Sequence, residues 1–338
     1  MKYSEKINIL LKPDSTLPFK VLDLFSGCGG LSLGFESIGF STIGIEYIKD
    51  YCDTYSNNLI GDCIKDTISC DYSFPEADIL IGGPPCQPFS VGGKQNGSSD
   101  KRDGFPAFIK AVKSIKPKLF LIENVRGLLY KNKWYLDKIS NDFRDLGYYV
   151  EAQLLNAKYY GIPQNRERVI IIGHKGIFKW PRRSINSVSA GEALESLQQS
   201  AETKYDYLTP NMDKYIAKYE KASKCIVPRD LHMDKPARTL TCRNLAGATG
   251  DMHRIVLEDG RRRRITVREA ARLQSFPDWF SFEGNQSSAF YQIGNAVPPL
   301  LAHQLAKSVA EYMRNLERYG ESIKPPESAI GSQIEAFD

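Results

Sequence analysis

Hydrophobic and polar residues follow two alternating rhythms over the first half of the chain. Short apolar runs at 19–25, 41–45, 79–81, 117–125, 150–156 and 168–173 are bounded by glycine, proline or charged residues and read as buried strands. A further short strand segment closes on Gly61, Asp62 and Cys63. The stretches at 31–38, 105–115 and 138–146 read as helices. Strand and helix taking turns in this way predict an α/β fold with a doubly wound, mostly parallel sheet.

The rhythm fades after about residue 175. Residues 176–258 are polar, with Tyr, Lys and scattered Pro and Gly, and predict a second, smaller, irregular domain. Residues 266–274 then read as a helix with Thr266 as its cap. A tight turn at 292–299 opens another helix, with Leu301, Leu305, Val309 and Met313 at helical spacing. The expected layout is 1–175 with 259–320 as the main domain, 176–258 as the second, and 321–338 as a loosely ordered tail. Residues 1–18 read as a polar leader.

Composition narrows this little. The 338 residues allow one large domain plus a smaller one, and the apolar share of 42% with 25% charged residues is ordinary for a globular chain. No stretch is long enough to cross a bilayer. The seven cysteines, at 28, 52, 63, 70, 86, 225 and 242, form no Cys-x-x-Cys pair, so no zinc knuckle and no metal are expected. An odd cysteine count without an apolar leader of signal length points to free thiols in a reducing compartment, hence a cytosolic protein. The net charge of +5 is compatible with a nucleic-acid partner.

The chemistry concentrates at 79–90. Two glycines end an apolar run, two prolines stiffen the backbone, and Cys86 follows, with a third proline at 88. A thiol so placed suits nucleophilic use, although a bare Pro-Cys is more often a small buried hydrophobe. The run from Ser90 to Gly104 is rich in Gly, Ser and charge and reads as a mobile lid. At 23–30 a strand enters the turn Ser26-Gly-Cys-Gly-Gly30 and then a helix, the opening with which doubly wound folds hold a nucleotide-like ligand. Ser32 stands where the dinucleotide fingerprint needs a third glycine, which disfavours a nicotinamide. Glu46 ends the next strand about 20 residues on, where such folds bind ribose hydroxyls. Asp62 is a candidate contact for an adenine amine. Either acid alone is as readily a cap or a surface residue. Glu123 in an apolar run needs a partner or a use, and burial would suit it to proton donation. Arg166 and Arg168 alternate into a strand and so face one side, with a solvated pair as the plain alternative. The arginines at 261–264 are a solvated face or, beside a basic cleft, a phosphate site.

Taken together, these segments resemble the C5-cytosine DNA methyltransferases of the bacterial modification type. Asp-Leu-Phe-Ser-Gly-Cys-Gly-Gly (23–30) is similar to the family's S-adenosylmethionine loop and Gly-Gly-Pro-Pro-Cys-Gln-Pro-Phe-Ser (82–90) to its nucleophile motif. Glu-Asn-Val (123–125), Gln-Asn-Arg-Glu-Arg (164–168), Arg-Glu-Ala-Ala-Arg-Leu-Gln-Ser-Phe-Pro (268–277) and Gln-Ile-Gly-Asn-Ala-Val-Pro-Pro (292–299) resemble its other signatures, in the family's order. The resemblance implies a Rossmann-like methyltransferase fold with a target-recognition domain at 176–258, in which Thr239-Leu-Thr241 resembles a short signature.

It further implies methyl transfer from S-adenosylmethionine to C5 of a cytosine flipped out of a short duplex sequence, through a covalent Cys86–C6 bond. Glu123 would bind N3 and the exocyclic amine. Arg168 would hold O2, with Arg166 in support. Phe25, Ser26, Gly27, Gly29, Gly30, Leu31, Glu46, Tyr47, Asp62, Cys63, Pro85, Asn295, Ala296 and Val297 would surround the cofactor. Gln87, Ser90, Gln164, Arg238, Thr239, Thr241 and Arg243 would contact double-stranded DNA. The protein would act as a monomer, protecting host DNA from a cognate restriction endonuclease without a stable complex. Two departures from the family pattern are Cys28 in the cofactor turn and Ala296 where serine is frequent; the second bears on a hydrogen bond to the cofactor carboxylate.

Three rival readings use the same residues. An RNA cytosine methyltransferase shares the scaffold, but the tRNA-modifying relatives carry a Cys-Phe-Thr tripeptide missing here. A DNA-binding regulator on a dead enzyme fold is opposed by the retention of Cys86, Glu123 and Arg168. A nicotinamide oxidoreductase is opposed by the broken glycine fingerprint.

Overall fold

The computed structural model describes residues 1–69, 72–85, 103–195, 197, 206–224, 229–247, 250–320 and 334–335. The chain opens with helix α1 (Tyr3–Leu10), then alternates β1 (Lys20–Leu24), α2 (Gly30–Glu36), β2 (Ser41–Glu46), α3 (Lys49–Asn58), β3 (Cys63–Lys65), β4 (Ile79–Gly82), α4 (Phe105–Ile115), β5 (Leu119–Val125), α5 (Lys133–Asp145) and β6 (Tyr149–Asn156). The short β7 (Gln164–Asn165) leads into β8 (Glu167–His174). Then come α6 (Ala190–Leu194), α7 (Pro210–Ala222), β9 (Ala237–Arg238), α8 (Cys242–Ala246), β10 (Arg254–Val256) and β11 (Arg262–Arg264). Helices α9 (Val267–Leu273), α10 (Gln286–Asn295) and α11 (Pro299–Tyr319) follow, with the two-residue β12 (Ile334–Glu335) last.

The main sheet has the order β12-β6-β8-β5-β4-β1-β2-β3. Strand β8 alone runs against the rest, antiparallel to both β5 and β6. The doubly wound, mostly parallel sheet is thus present. The central strands β4, β5 and β8 are mostly apolar because both faces are covered. Side chains alternate between those faces. Ile79, Ile81, Leu119 and Leu121 join the core under α2 and α11, while Leu80, Phe120 and Ile122 join the core under α4 and α5. Gly34 lets α2 and α11 touch, since a Cβ there would run into Ala302.

Several sequence expectations change. The leader is a helix, because Tyr3, Ile7 and Leu11 recur every four residues and bury together. Asn8 ties it to the distant chain by accepting from Asp278 N at 2.7 Å. Strand β3 begins at Cys63 rather than ending there, and α5 starts at Lys133. The first half of the expected turn at 292–299 is the last turn of α10. The arginines at 261–264 are no free basic face. Arg263 is buried in a bidentate pair with Glu269 (2.7 and 2.8 Å), Arg264 donates to Leu245 O at 2.5 Å, and Arg261 pairs with Asp259 at 2.6 Å. Of the expected tail, β12 is described and pairs with β6.

Candidate active site

Strands β1, β2 and β3 step to one side of the sheet, and β4 and β5 to the other. The carboxyl ends of β1 and β4 therefore part at a topological switch point, where doubly wound folds take their ligands. A cavity of about 190 Å³ lies there, lined by Phe25, Glu46, Tyr47, Asp66, Thr67, Ile68, Pro85, Asp103 and Gly104 among others. Phe25 takes the left-handed φ of 59°, uncommon for a bulky residue, and so turns the chain straight off β1 beside the cavity. Glu46 is buried and accepts from Gly27 N (3.0 Å) and Ile48 N (2.9 Å), so it holds the glycine turn against the end of β2. Burial raises its pKa, and those backbone donors oppose the rise. Gly30 has no room for a Cβ, which would stand 2.5 Å from Val297 O, so Val297 packs on the first residue of α2.

The turn after β4 is held from two sides. Asn124 Nδ2 donates to Pro84 O (3.1 Å), and Gly104 N donates to Pro85 O (2.9 Å). Glu123 lies one residue before Asn124, near the end of β5, and Gly83 sits 3.6 Å from Glu123 Oε2 when given a Cβ. Arg168, two residues into the neighbouring β8, brings Nε to 2.9 Å from Glu123 Oε1, off the hydrogen-bond axis. The buried acid foreseen inside an apolar run thus has a cationic partner. Glu123 lies one strand, and Arg168 two strands, from the turn that follows β4 and ends at Pro85. Cys86, Gln87 and Ser90, and with them the expected lid up to residue 102, lie outside the described residues.

Arg166 does a different job. It is fully buried and donates to Leu240 O (2.7 Å), Gly294 O (3.2 Å) and Ala296 O (3.0 Å). Burial first, and the Arg168 charge second, push its pKa down. It brackets two segments far apart in sequence rather than facing an open site. Gln164, expected at DNA, is likewise fully buried: its amide donates to Leu273 O (3.2 Å) and to Gln274 Oε1 (2.5 Å) and accepts from Leu240 N (2.9 Å). Gln274 completes the bracket by donating to Ile293 O (3.0 Å) and Ala296 O (2.7 Å).

Among the other expected DNA residues, Arg238 pairs with Asp251 at 3.2 Å, Thr239 donates to Asn165 O at 2.7 Å, and Thr241 caps α8. Arg243 is exposed. Asp62 precedes β3 and Cys63 opens it, so neither lines the cavity; the acid at the carboxyl end of β3 is Asp66. Asp66 would have stood out in the sequence only with that strand end placed correctly. Asn124 and Gln274 were also missed as site residues, because they act through backbone carbonyls, which carry no side-chain signal. Burial raises the pKa of all four described thiols: Cys28 to about 12, Cys242 to about 11, and Cys52 and Cys63 in the same direction. Cys242 Sγ donates to Asn295 Oδ1 at 2.8 Å. A larger groove of about 700 Å³ lies at the opposite edge of the sheet, but its Asp78 is already paired with Lys118.

One reversed strand beside an otherwise parallel doubly wound sheet, with the cavity at the switch point, makes this a Rossmann-like methyltransferase fold. The DNMT2 structure from Spodoptera frugiperda has the same fold, with a TM-score of 0.67 at 17% identity, covering 86% of this chain and 99% of that one. Residues 19–311 match the model of the C-5 cytosine-specific DNA methylase family, and the chain belongs to that family. Type II methyltransferase M.AplI of Arthrospira platensis is 50% identical over 308 residues, covering 90% of this chain and 89% of its own. Type II methyltransferase M.NgoFVII of Neisseria gonorrhoeae is 36% identical, covering 86% of each. The protein is a DNA cytosine-5 methyltransferase.

Proposed function

We propose that the protein transfers a methyl group from S-adenosylmethionine to C5 of a cytosine flipped out of duplex DNA, through a covalent bond between Cys86 and C6. We infer further that it protects host DNA from a partner restriction endonuclease, a reading supported by its Type II relatives. The observation that carries the reaction is the Glu123–Arg168 pair, which joins β8 to the carboxyl end of β5 beside the turn that ends at Pro85. A carboxyl group that donates its proton to N3 and accepts from the amine, beside a guanidinium that donates to O2, matches the edge of cytosine.

The residues present fit the cofactor. The buried Glu46 can accept from two ribose hydroxyls, Phe25 offers an aromatic face, and Asp66 can accept from an adenine amine. The Cys242 thiol engages the Asn295 amide oxygen and leaves its nitrogen for a carboxylate, a contact that Ala296 cannot make. When bound, S-adenosylmethionine supplies an electrophilic methyl group.

Cytosine C5 is a weak nucleophile. The Cys86 thiolate adds to C6, and the electron pair of the C5–C6 bond becomes available at C5. Glu123 gives its proton to N3 and Arg168 donates to O2, which together stabilise the negative charge that develops there. C5 would then take the methyl group as its bond to the sulfonium sulfur breaks and leaves a neutral thioether; a base removes the C5 proton, N3 returns its proton to Glu123, and the returning electron pair expels the thiolate. High pKa values make Cys28, Cys52, Cys63 and Cys242 poor candidates for that nucleophile.

An oligonucleotide with 5-fluorocytosine at the target tests the chemistry, because fluorine cannot leave as the proton does. A denaturation-resistant protein–DNA adduct that needs S-adenosylmethionine is expected, mapping to Cys86 and missing in Cys86→Ser. An adduct that survives in Cys86→Ser, or maps to another cysteine, overturns the assignment.

A further inference from the structure

The turn after β6 carries Lys158 and Tyr159, and the strap leading to α6 carries Arg182 and Arg183. Ser184 N donates to Tyr159 O at 2.7 Å, which pins turn and strap together. Lys158 Nζ stands 4.8 Å from the centre of the Tyr159 ring, and the Arg183 guanidinium carbon 5.7 Å from the same centre. One aromatic ring therefore positions two cations, and Arg182 precedes Arg183 on the same strap. Tyr159, Arg182 and Arg183 are exposed and Lys158 is half-buried. Among the described residues, neither Lys158 nor Arg182 forms an ion pair.

The location gives this charge a use. Strand β6 runs parallel to β5, since both are antiparallel to β8, so its carboxyl end shares a sheet edge with Glu123 and Pro85. Ala157 N donates to Arg166 O (2.9 Å), and Asn156 Nδ2 donates to Asn165 Oδ1 (2.6 Å). The basic turn is thus continuous with the segment that delivers Arg168.

We propose that Lys158 and Arg183, held at the Tyr159 ring, form with the neighbouring exposed Arg182 a phosphodiester clamp that holds the DNA backbone beside the target base. The proposal rests on the DNA methyltransferase reading and adds a binding subsite to it. Cations already ordered against an aromatic ring lose less freedom when a phosphate arrives. Each phosphate they neutralise releases condensed counterions, which makes the contact sequence-independent and salt-sensitive.

The test is binding of the full-length protein to duplexes with and without the target sequence over a range of salt. Each phosphate contact contributes about −0.9 to the slope of log affinity against log salt for duplex DNA. Lys158→Gln/Arg182→Gln should flatten the slope by about 2 on both duplexes, and each single variant by about 1. Lys158→Arg should keep the wild-type slope. A double variant with the wild-type slope overturns the clamp while leaving the methyltransferase reading intact. So does a loss confined to the target duplex, which would mean base reading. A wild-type protein that does not bind duplex DNA overturns both.

Discussion

Asp23 shows how much one residue depends on its surroundings. It lies in β1, fully buried, and accepts from Ser32 Oγ at 2.7 Å. Burial raises its pKa to about 7, the Ser32 hydrogen bond opposes this, and Glu46 adds to the rise. In the unfolded chain the carboxyl would titrate near 3.9, at roughly its free value. From about pH 4 to 7 the folded state therefore holds a proton that the unfolded state has released. Asp23 contributes its stability fully below the lower value, and that contribution is lost as pH rises through the upper one, by up to about 1.4 kcal/mol per unit. Asp23→Asn keeps the shape and the contact with Ser32 but cannot ionise. Its urea midpoint should change less between pH 5 and pH 8 than that of the wild type. Parallel pH profiles for the two proteins would mean that Asp23 does not titrate in this window.

At the scale of elements, two arginines two residues apart do separate work. Arg168 extends from β8 to a carboxylate on β5, whereas Arg166 binds three carbonyls and joins β8 to the segments before α8 and after α10. A planar fork can serve three acceptors, and a single ammonium cannot. Arg166→Lys should lower stability by about 2–4 kcal/mol through unmet buried carbonyls, and weaken cofactor binding as the 294–297 turn loosens. Arg168→Lys should leave the melting temperature nearly unchanged and cut single-turnover methyl transfer by about 10-fold or more, because the charge developing at O2 then meets a less well placed donor. Thermal melts and single-turnover rates on both variants separate the two roles, and equal effects on stability would refute the division.

Across the whole molecule, the region between β8 and α9 is held by charge as much as by apolar contact. Arg254 is fully buried, pairs with Asp230, and donates to Glu220 at 2.5 Å and to Gly250 O at 3.1 Å. A few apolar residues, among them Leu231, Leu240, Leu245 and Ile255, connect it to the core beneath α11. Removing the cation leaves two half-buried carboxylates without their shared partner, with only Arg262 still near Asp230 at 3.7 Å, which costs about 1–3 kcal/mol. Arg254→Met should therefore raise hydrogen exchange first at α7 and β10, while β1, β4 and β5 stay protected. Uniform loss of protection would show that this region and the sheet unfold as one unit.

Sheet, family and candidate chemistry were legible from residue pattern alone. Strands covered on both faces read as apolar runs, and glycine–proline turns mark strand ends whatever lies around them. Cys86, Glu123, Arg168 and Glu46 stood out because their types are unusual at those positions. The tertiary structure decided the rest. The sequence places Gln164 at DNA and Arg166 in support of Arg168, and only their packing against Leu240, Gln274 and Ala296 turns them into a buried bracket. The arginines at 261–264 looked like a basic face until Glu269 and the Leu245 carbonyl engaged two of them. Residues 1–18 looked polar because their apolar stripe has no meaning without the surface it covers. Periodicity and turn chemistry are local and survive in the sequence; a long polar side chain's partner is a non-local fact, fixed only when distant backbone carbonyls and carboxylates are brought within hydrogen-bond reach.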